Sequence, residues 1–506
     1  MSINAEAIEQ SGENATLPAE PKERFNTKSF VAMIIAAVVF LFFQFVCPVP
    51  EGLERTAMSA IGILLACIVL WIAEAMPFIV TVVLIFFLIP VTGVLPYATM
   101  TLDSGKVIQS VFNQSSLLVP IYCLFVFTVS GAVMSTPIPY RVANFALKWA
   151  GTNSRKLIIG FSMATAVLSM FVSDLAASAI FIGIGISIVE ANGGVKGKSN
   201  LAKALTIAVG AAAAIGGIGT PIGNSLNILC MTMVEQYMGV RVTFLAWCVT
   251  NIPLALVTAF LSGLYVSKVF KVEDISPEAL TVVERKLQNF GKMTPREIKL
   301  IVWFVIAFGL MIMSTWFPAI NSMLVAFAFC VIAFIPGVSL LTKKQFYDNI
   351  PWEIIMMIIG VQALATGLVG TGAANWFVNT TFAGAEAWPA ILIVFMMCVI
   401  TMILHIAIPV GPPTVSVAVP LMVALVTAVN AGAGATVINP AVIACIGGIL
   451  GGVTTWLPID SIMMICYEKG WVNMKEWVTR AWVPTVILLI LTVIWTPFIC
   501  GIVVPV

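Results

Sequence analysis

The chain has 506 residues, of which 60% are hydrophobic and 9% charged, with a formal net charge of +2. Soluble domains carry about 25% charged residues, so these proportions exclude a soluble globular protein and leave a polytopic membrane protein. The net charge by itself says nothing useful about nucleic-acid or acidic partners; no nucleic-acid partner is expected, and the lack of a Walker-type loop argues against ATP-driven transport.

Residues 1–28 are polar and poor in aromatics, which predicts a disordered cytoplasmic tail. No signal peptide precedes the first apolar run. Apolar runs fall at Phe30–Cys47, Ala57–Ala73, Pro77–Val94, Leu117–Val133, Leu157–Val189, Ala202–Tyr237 and Phe244–Val266. A charged linker, Ser267–Lys299, is the only sizeable hydrophilic insert. The second half runs through Leu300–Trp316, Met323–Ile335, Trp352–Phe377, Ala390–Val429, Pro440–Cys466 and Val483–Cys500. The ten cysteines lie within or at the ends of these runs without a C-x-x-C spacing, and read as small buried hydrophobes.

Leu157–Val189 is too long for one crossing, which needs about 20 residues, and too short for two, which need about 40 and a turn. It fits a re-entrant hairpin with its tip near residue 173, at Phe171-Val-Ser-Asp-Leu-Ala-Ala-Ser178. An aspartate at such a tip is costly in hydrocarbon, so Asp174 is expected to face water, a cation or a partner. The alternative is a snorkelling or interfacial Asp.

Lys and Arg are retained on the cytoplasmic side of membrane proteins. With the N-terminus inside and Leu157–Val189 and Ala390–Val429 both re-entrant, only Arg55, Lys106 and Arg241 of the 25 basic residues fall outside. An internal repeat supports the second hairpin: Ile215-Gly-Gly-Ile-Gly-Thr220 matches Leu450-Gly-Gly-Val-Thr-Thr455 at an offset of 235. The same offset carries Ser173-Asp174 to Ile408-Pro409, beside a second tip near residue 411.

The expected fold is therefore an all-α polytopic membrane protein, with about eleven transmembrane helices and two re-entrant hairpins in two inverted-topology repeats. Its divisions are a first transmembrane helix (29–54), repeat 1 (55–268), a cytoplasmic linker (269–299) and repeat 2 (300–506), with an external C-terminus.

Four breaks should converge at the midplane: Ser173-Asp174, Gly216–Asn224, Pro409–Pro413 and Gly451–Asp460. Unwound carbonyls there suit a cation, and the N-termini of the resuming half-helices suit an anion. Expected substrate contacts are Ser173, Thr220, Pro221, Asn224, Ser225, Asn227, Gly411, Thr414 and Thr455. Asp460 reads equally as a second cation or proton site and as a helix cap. His405, the only histidine, reads as a proton site, an anion donor or a neutral packed side chain. Glu74 and Glu353, each close to a Trp, read as interfacial or structural.

These residues resemble the divalent-anion/sodium symporter family, the bacterial relatives of animal di- and tricarboxylate carriers. Trp71-Ile-Ala-Glu-Ala-Met-Pro77 with Thr81, and Pro90-Val-Thr-Gly93, are similar to its Trp-x-x-Glu-x-x-Pro signature and the segment after it. Ser169–Leu175 occupies the slot of its first Ser-Asn-Thr motif, and Gly216–Asn227 resembles its Gly-Gly…Thr-Pro-x-Gly…Asn motif. The resemblance implies a sodium at Ser169, Ser173, Asp174 (in the Asn slot) and the backbone near Gly217 and Gly219. It further implies substrate at Ser173 and Thr220-Pro221, a homodimer, and elevator-type alternating access. The chain departs from the pattern at Asp174 and Leu175, at Val410-Gly411-Pro412 in the second Ser-Asn-Thr slot, and at Asn224, Ser225 and Leu226.

The expected function is cation-coupled secondary transport of a small anion through the inner membrane, with sodium favoured over the proton and no cofactor. The anion is a di- or tricarboxylate, a related organic anion or sulfate. A cation/proton antiporter or anion exchanger on the same fold is the alternative, motivated by Asp174 and Asp460. An intramembrane hydrolase using Ser173, Asp174 and His405 fails for want of anything ordering them as nucleophile, base and orienter.

Overall fold

A computed structural model describes residues 27–101, 107, 108, 110, 111, 114–317 and 319–505. The expected cytoplasmic tail lies outside the described residues except for its last two, as do Lys22, Arg24 and Lys106.

The first half contains α1 (Thr27–Leu41, continued by a π-turn over Phe42–Val46), α2 (Arg55–Ile72), α3 (Phe78–Val91), α4 (Gln114–Met134) and α5 (Ile138–Ala150). It continues through α6 (Ser154–Ser169), α7 (Asp174–Ala191), α8 (Asn200–Gly217), α9 (Ser225–Met238) and α10 (Phe244–Val269). The linker folds into α11 (Pro277–Phe290). The second half contains α12 (Pro295–Met313), α13 (Ser322–Ile332), α14 (Lys343–Asn349), α15 (Trp352–Gly370), α16 (Ala373–Thr381) and α17 (Ala390–Ala407). It closes with α18 (Gly411–Ala433), α19 (Ala441–Leu450), α20 (Ser461–Tyr467), α21 (Met474–Arg480) and α22 (Trp482–Val503). Between α3 and α4, Met100–Thr101 and Val107–Ile108 form a short antiparallel pair, Met100 opposite Ile108.

The protein is an all-α polytopic membrane protein. Among the described residues nine helices are long and apolar enough to cross a membrane, or ten if α4 and α5, bent by 65°, count as one span. This is fewer than the eleven expected crossings, and three of the nine are hairpin arms: α7, α17 and α18. Every expected crossing nevertheless has its helix. Several are too short to pass alone (α3, α13), and two are broken into the pairs α8–α9 and α19–α20.

The repeat read from Gly-Gly motifs extends through the structure. An offset of 235 carries the start of α5, Ile138, onto the start of α16, Ala373. It carries α6, α7 and α9 to within two residues of the starts of α17, α18 and α20. The halves interlock, because α9 packs on α19, α8 on α20 and α10 on α22. Residues of α2, α3 and α15 form a separate apolar core that also takes Ile408 and Val417 from the second hairpin.

Local sequence explains the boundaries. Side chains of Asn153, Ser199, Asn224 and Thr243 accept from backbone N–H groups and cap α6, α8, α9 and α10. Thr294 and Glu297 form a capping box on α12. The linker is pinned to the first hairpin and α8. Glu273 accepts from the N–H groups of Asn200 and Leu201, both at 2.6 Å, and Ser154 donates to the Glu273 carbonyl. Arg141 of α5 pairs with the buried carboxylate of Glu297 at 2.8 Å.

Candidate functional site

Close approach of α6 and α8 builds the floor of the site. A Cβ on Gly216 would lie 2.3 Å from the Ala166 carbonyl oxygen, so only glycine fits where α8 ends. Beyond it the chain unwinds from Ile218 to Asn224. Thr220 donates its hydroxyl to the Met170 carbonyl, tying this break to the first hairpin tip. Asn227 donates to the carbonyls of Gly217 and Thr220, both at 2.8 Å, and the indole of Trp247 donates to Ile218 at 3.0 Å.

At the tip, Ser173 precedes α7 without capping it through its side chain. The Asp174 carboxylate accepts from its neighbour Leu175 N–H at 2.8 Å and from the Asn224 amide at 2.6 Å. It lies against Gly217, whose added Cβ would stand 3.1 Å from Oδ2. A Cβ on Gly223 would meet the Gly217 carbonyl oxygen at 2.5 Å and that of Ser169 at 2.9 Å, so both oxygens point at one bare patch of backbone. The Asp174 carboxylate against Gly217 and the carbonyls of Gly217 and Ser169 against Gly223 are oxygen donors of the kind a hard cation takes. The Ser169 hydroxyl turns away and donates to Ala213 at 2.6 Å. Gly219 packs on Met170 rather than on this cluster.

The second half repeats the frame with different side chains. Trp477, fully buried like Trp247, donates its indole to the Thr455 carbonyl at 3.0 Å. The Thr455 hydroxyl donates to Ala481 at 2.5 Å and its N–H to Thr485 at 2.9 Å. Thr414 donates to the carbonyls of Ile408 and Val410. The halves meet at Leu226, which fills the space that Cβ atoms on Gly411 and Gly452 would occupy, at 2.5 and 2.6 Å.

A cavity of about 500 Å³ opens between these parts. It brings together Ser173, Asp174, Asn224, Ser225, Gly411 and Asp460, contributed by both tips and both breaks. Thr220, Asn227, Thr414 and Thr455 lie behind this wall, buried and engaged in the bonds described above. Ser169, Gly217, Gly219 and Pro221 are also behind it. Buried His405 sits beside the Leu450–Gly451 backbone, away from the cavity.

Sequence reasoning missed another part of the lining: Phe78, Phe127, Trp352, Glu353 and Met357. Glu353, read as interfacial or structural, lines the cavity. The one available signal was the Trp-x-x-Glu-x-x-Pro segment. Its turn, with Glu74 at φ +46°, ends α2 and delivers Phe78 to the wall as the first residue of α3.

Two interlocked helical halves, each with a helix hairpin and a broken helix meeting at one cavity, define a membrane transporter architecture. The sodium:sulfate symporter transmembrane-region profile matches residues 27–502, and the chain belongs to that family. It is 28% identical over 432 residues to the sodium-dependent dicarboxylate transporter SdcS of Staphylococcus saprophyticus, covering 80% of each chain. With the protein of that name from Staphylococcus aureus (strain MRSA252) it shares 27% identity over 384 residues, 71% of each chain. The YdaH transporter structure of Alcanivorax borkumensis matches 85% of this chain and all of its own, with a TM-score of 0.52 and 12% identity, a likeness of fold alone.

Proposed function

We propose that this chain is a sodium-coupled secondary transporter of a small organic or inorganic anion. The observation that carries this reading is the cavity at which both tips and both breaks meet, with the Asp174 carboxylate against Gly217 in the first break. Family membership and the sodium-dependent carriers among its relatives support sodium as the coupling ion. They equally support a transporter rather than an enzyme.

In this reading Asp174, Ser173 and the carbonyls of Ser169 and Gly217 hold sodium. Gly219 keeps the unwound backbone close by, and Asp460 serves a second cation or a proton. Ser173, Asn224, Ser225 and Gly411 face the substrate, while Thr220, Pro221, Asn227, Thr414 and Thr455 hold the breaks in shape. The cavity reaches the N-terminal ends of α3 and α15, at Phe78 and Trp352. The distribution of Lys and Arg assigns those ends to the cytoplasm. The repeats are then inverted, the N-terminus cytoplasmic, the C-terminus external and the cavity inward-facing. Each hairpin with its broken helix moves against α3 and α15 as an elevator, within a homodimer in the inner membrane.

Proteoliposomes of the full chain under an inward sodium gradient test this. Radioactive sodium should enter only when an acceptable substrate, drawn from a panel of carboxylates, amino acids and sulfate, is added outside. Sodium–proton exchange that ignores every added substrate would instead establish the antiporter.

A further inference from the structure

We infer that the chain carries one sodium site, at the first tip, because the second half closes the counterpart of that site with the chain's own side chains. Leu226 fills the space, and the Thr414 hydroxyl takes the carbonyls of the tip. This rests on the sodium-coupled reading above and sets the number of ions it uses.

The repeat makes the two places comparable. Gly217 and Gly452 are partners at the offset of 235, and α7 and α18 open with Asp174 and Gly411. In the first half the carboxylate that opens the helix stands against the glycine of the break: a Cβ on Gly217 would lie 3.1 Å from Asp174 Oδ2. In the second half the residue that opens the helix has no side chain, and α9 supplies one instead. A Cβ on Gly411 would lie 2.5 Å from Leu226 Cδ1, and one on Gly452 would lie 2.6 Å from the same atom. A methyl group therefore lies against the second break glycine where the first half places a carboxylate oxygen. Leu226 is buried, and its methyl offers a hard cation no ligand.

The second tip also spends its oxygens internally. From Ile408 to Thr414 the only side-chain oxygen is that of Thr414. Its hydroxyl donates to the Ile408 carbonyl at 2.9 Å and the Val410 carbonyl at 3.1 Å. The Ile408 carbonyl also accepts the Val410 N–H at 2.7 Å, and the Val410 carbonyl accepts the Thr414 N–H at 3.3 Å. Pro412 and Pro413 in the first turn of α18 stiffen the same backbone. This tip is held in shape without an ion.

Asp460 does not rebuild the site. It stands at the N-cap of α20, as Asn224 does at that of α9, and not on the tip. With no free side-chain oxygen on the second tip to share an ion with it, Asp460 is left the proton of the two roles given above.

Leucine and aspartate branch alike at Cγ, so Leu226→Asp puts an oxygen where Cδ1 stands. Equilibrium binding of radioactive sodium to the purified full chain, with sodium as the only probe, counts the sites, and each variant is verified by its melting temperature. Wild type should saturate at one sodium per chain. Leu226→Asp should raise the count to two. Leu226→Asn, which adds an oxygen without a charge, replaces it where the acid prevents folding, and should add a second site weaker than the first.

Saturation of the wild type at two sodium ions per chain would overturn the inference and leave sodium coupling intact. Folded Leu226 variants that still bind one would also overturn it, because Leu226 would then not be what closes the second site. A wild type that binds no sodium would overturn the sodium-coupled reading as well.

Discussion

The two halves of the molecule share a frame and differ in the chemistry they hang on it. In each, a hairpin tip meets a broken helix, and a buried tryptophan, Trp247 or Trp477, donates its indole to a carbonyl of the break. The polar groups are swapped. The first half has its carboxylate on the tip, Asp174, and an amide at the N-cap of the resuming helix, Asn224. The second half has Val410-Gly411-Pro412 at the tip and its carboxylate at the corresponding N-cap, Asp460. The breaks are braced alike but by tryptophans at non-equivalent positions, since an offset of 235 carries Trp247 onto exposed Trp482, and the groups facing the cavity differ. The tip and break of each half together keep a single acid, at non-equivalent places.

The largest effects should fall where the halves are alike. Trp247→Ala and Trp477→Ala each remove a large buried side chain and should cost about 3–5 kcal/mol. Melting in detergent should show two similar losses, and a silent Trp477→Ala would break the symmetry of the frame.

Glycine substitutions separate rigid contacts from yielding ones. Gly216→Ala drives a Cβ into the Ala166 backbone and should exceed the usual ~1–3 kcal/mol of overpacking. Gly411→Ala meets only the mobile end of Leu226 and should cost less; pairing it with Leu226→Ala should relieve it. Equal melting shifts for the two glycine variants would mean that the hairpins pack alike after all.

Asn227→Ala strips donors from the Gly217 and Thr220 carbonyls and should lower stability by about 1–3 kcal/mol. Transport should fall with it, since the break loses its brace. Lost uptake at an unchanged melting temperature would move Asn227 from the frame to the substrate.

The smallest effect concerns the joint between the halves. Burial pushes the Glu297 carboxyl up, but hydrogen bonds from Arg141 and Thr294 outweigh it and hold the group below its ordinary value of 4.5. A depressed folded-state value contributes stability above that pH, lost as pH falls through the folded value. Arg141→Ala should flatten the acid limb of a melting-temperature profile, and an unaltered limb would show that the pair adds nothing.

Much of this was legible in the sequence because glycine, proline and charge are coarse signals. Gly216-Gly217 and Gly451-Gly452 marked the breaks, and the length of Leu157–Val189 with the distribution of Lys and Arg marked the first hairpin. The short helices α5, α14, α16 and α21 were not legible, since half-exposed amphipathic pieces leave no long apolar run. Nor could composition tell a side chain that faces the cavity from one behind it. Thr220 and Asn227 carry donors suited to a ligand, but Thr220 spends its own on the Met170 carbonyl at the hairpin tip and Asn227 on the break carbonyls of Gly217 and Thr220, ten and seven residues before it. Glu353 was missed because a single acid at a helix start gives no hint of the tertiary wall it joins.

The central claim is that the coupling ion binds at the carboxylate kept by the first half. Asp174→Asn preserves shape and removes the charge. Sodium titration of the full chain, wild type against this variant, by melting temperature and by sodium-driven uptake, tests it most directly. The expected result is at least a tenfold weaker sodium dependence in both readouts, with substrate exchange across the membrane retained. Superimposable sodium titrations of the two proteins would contradict it and place the coupling ion elsewhere.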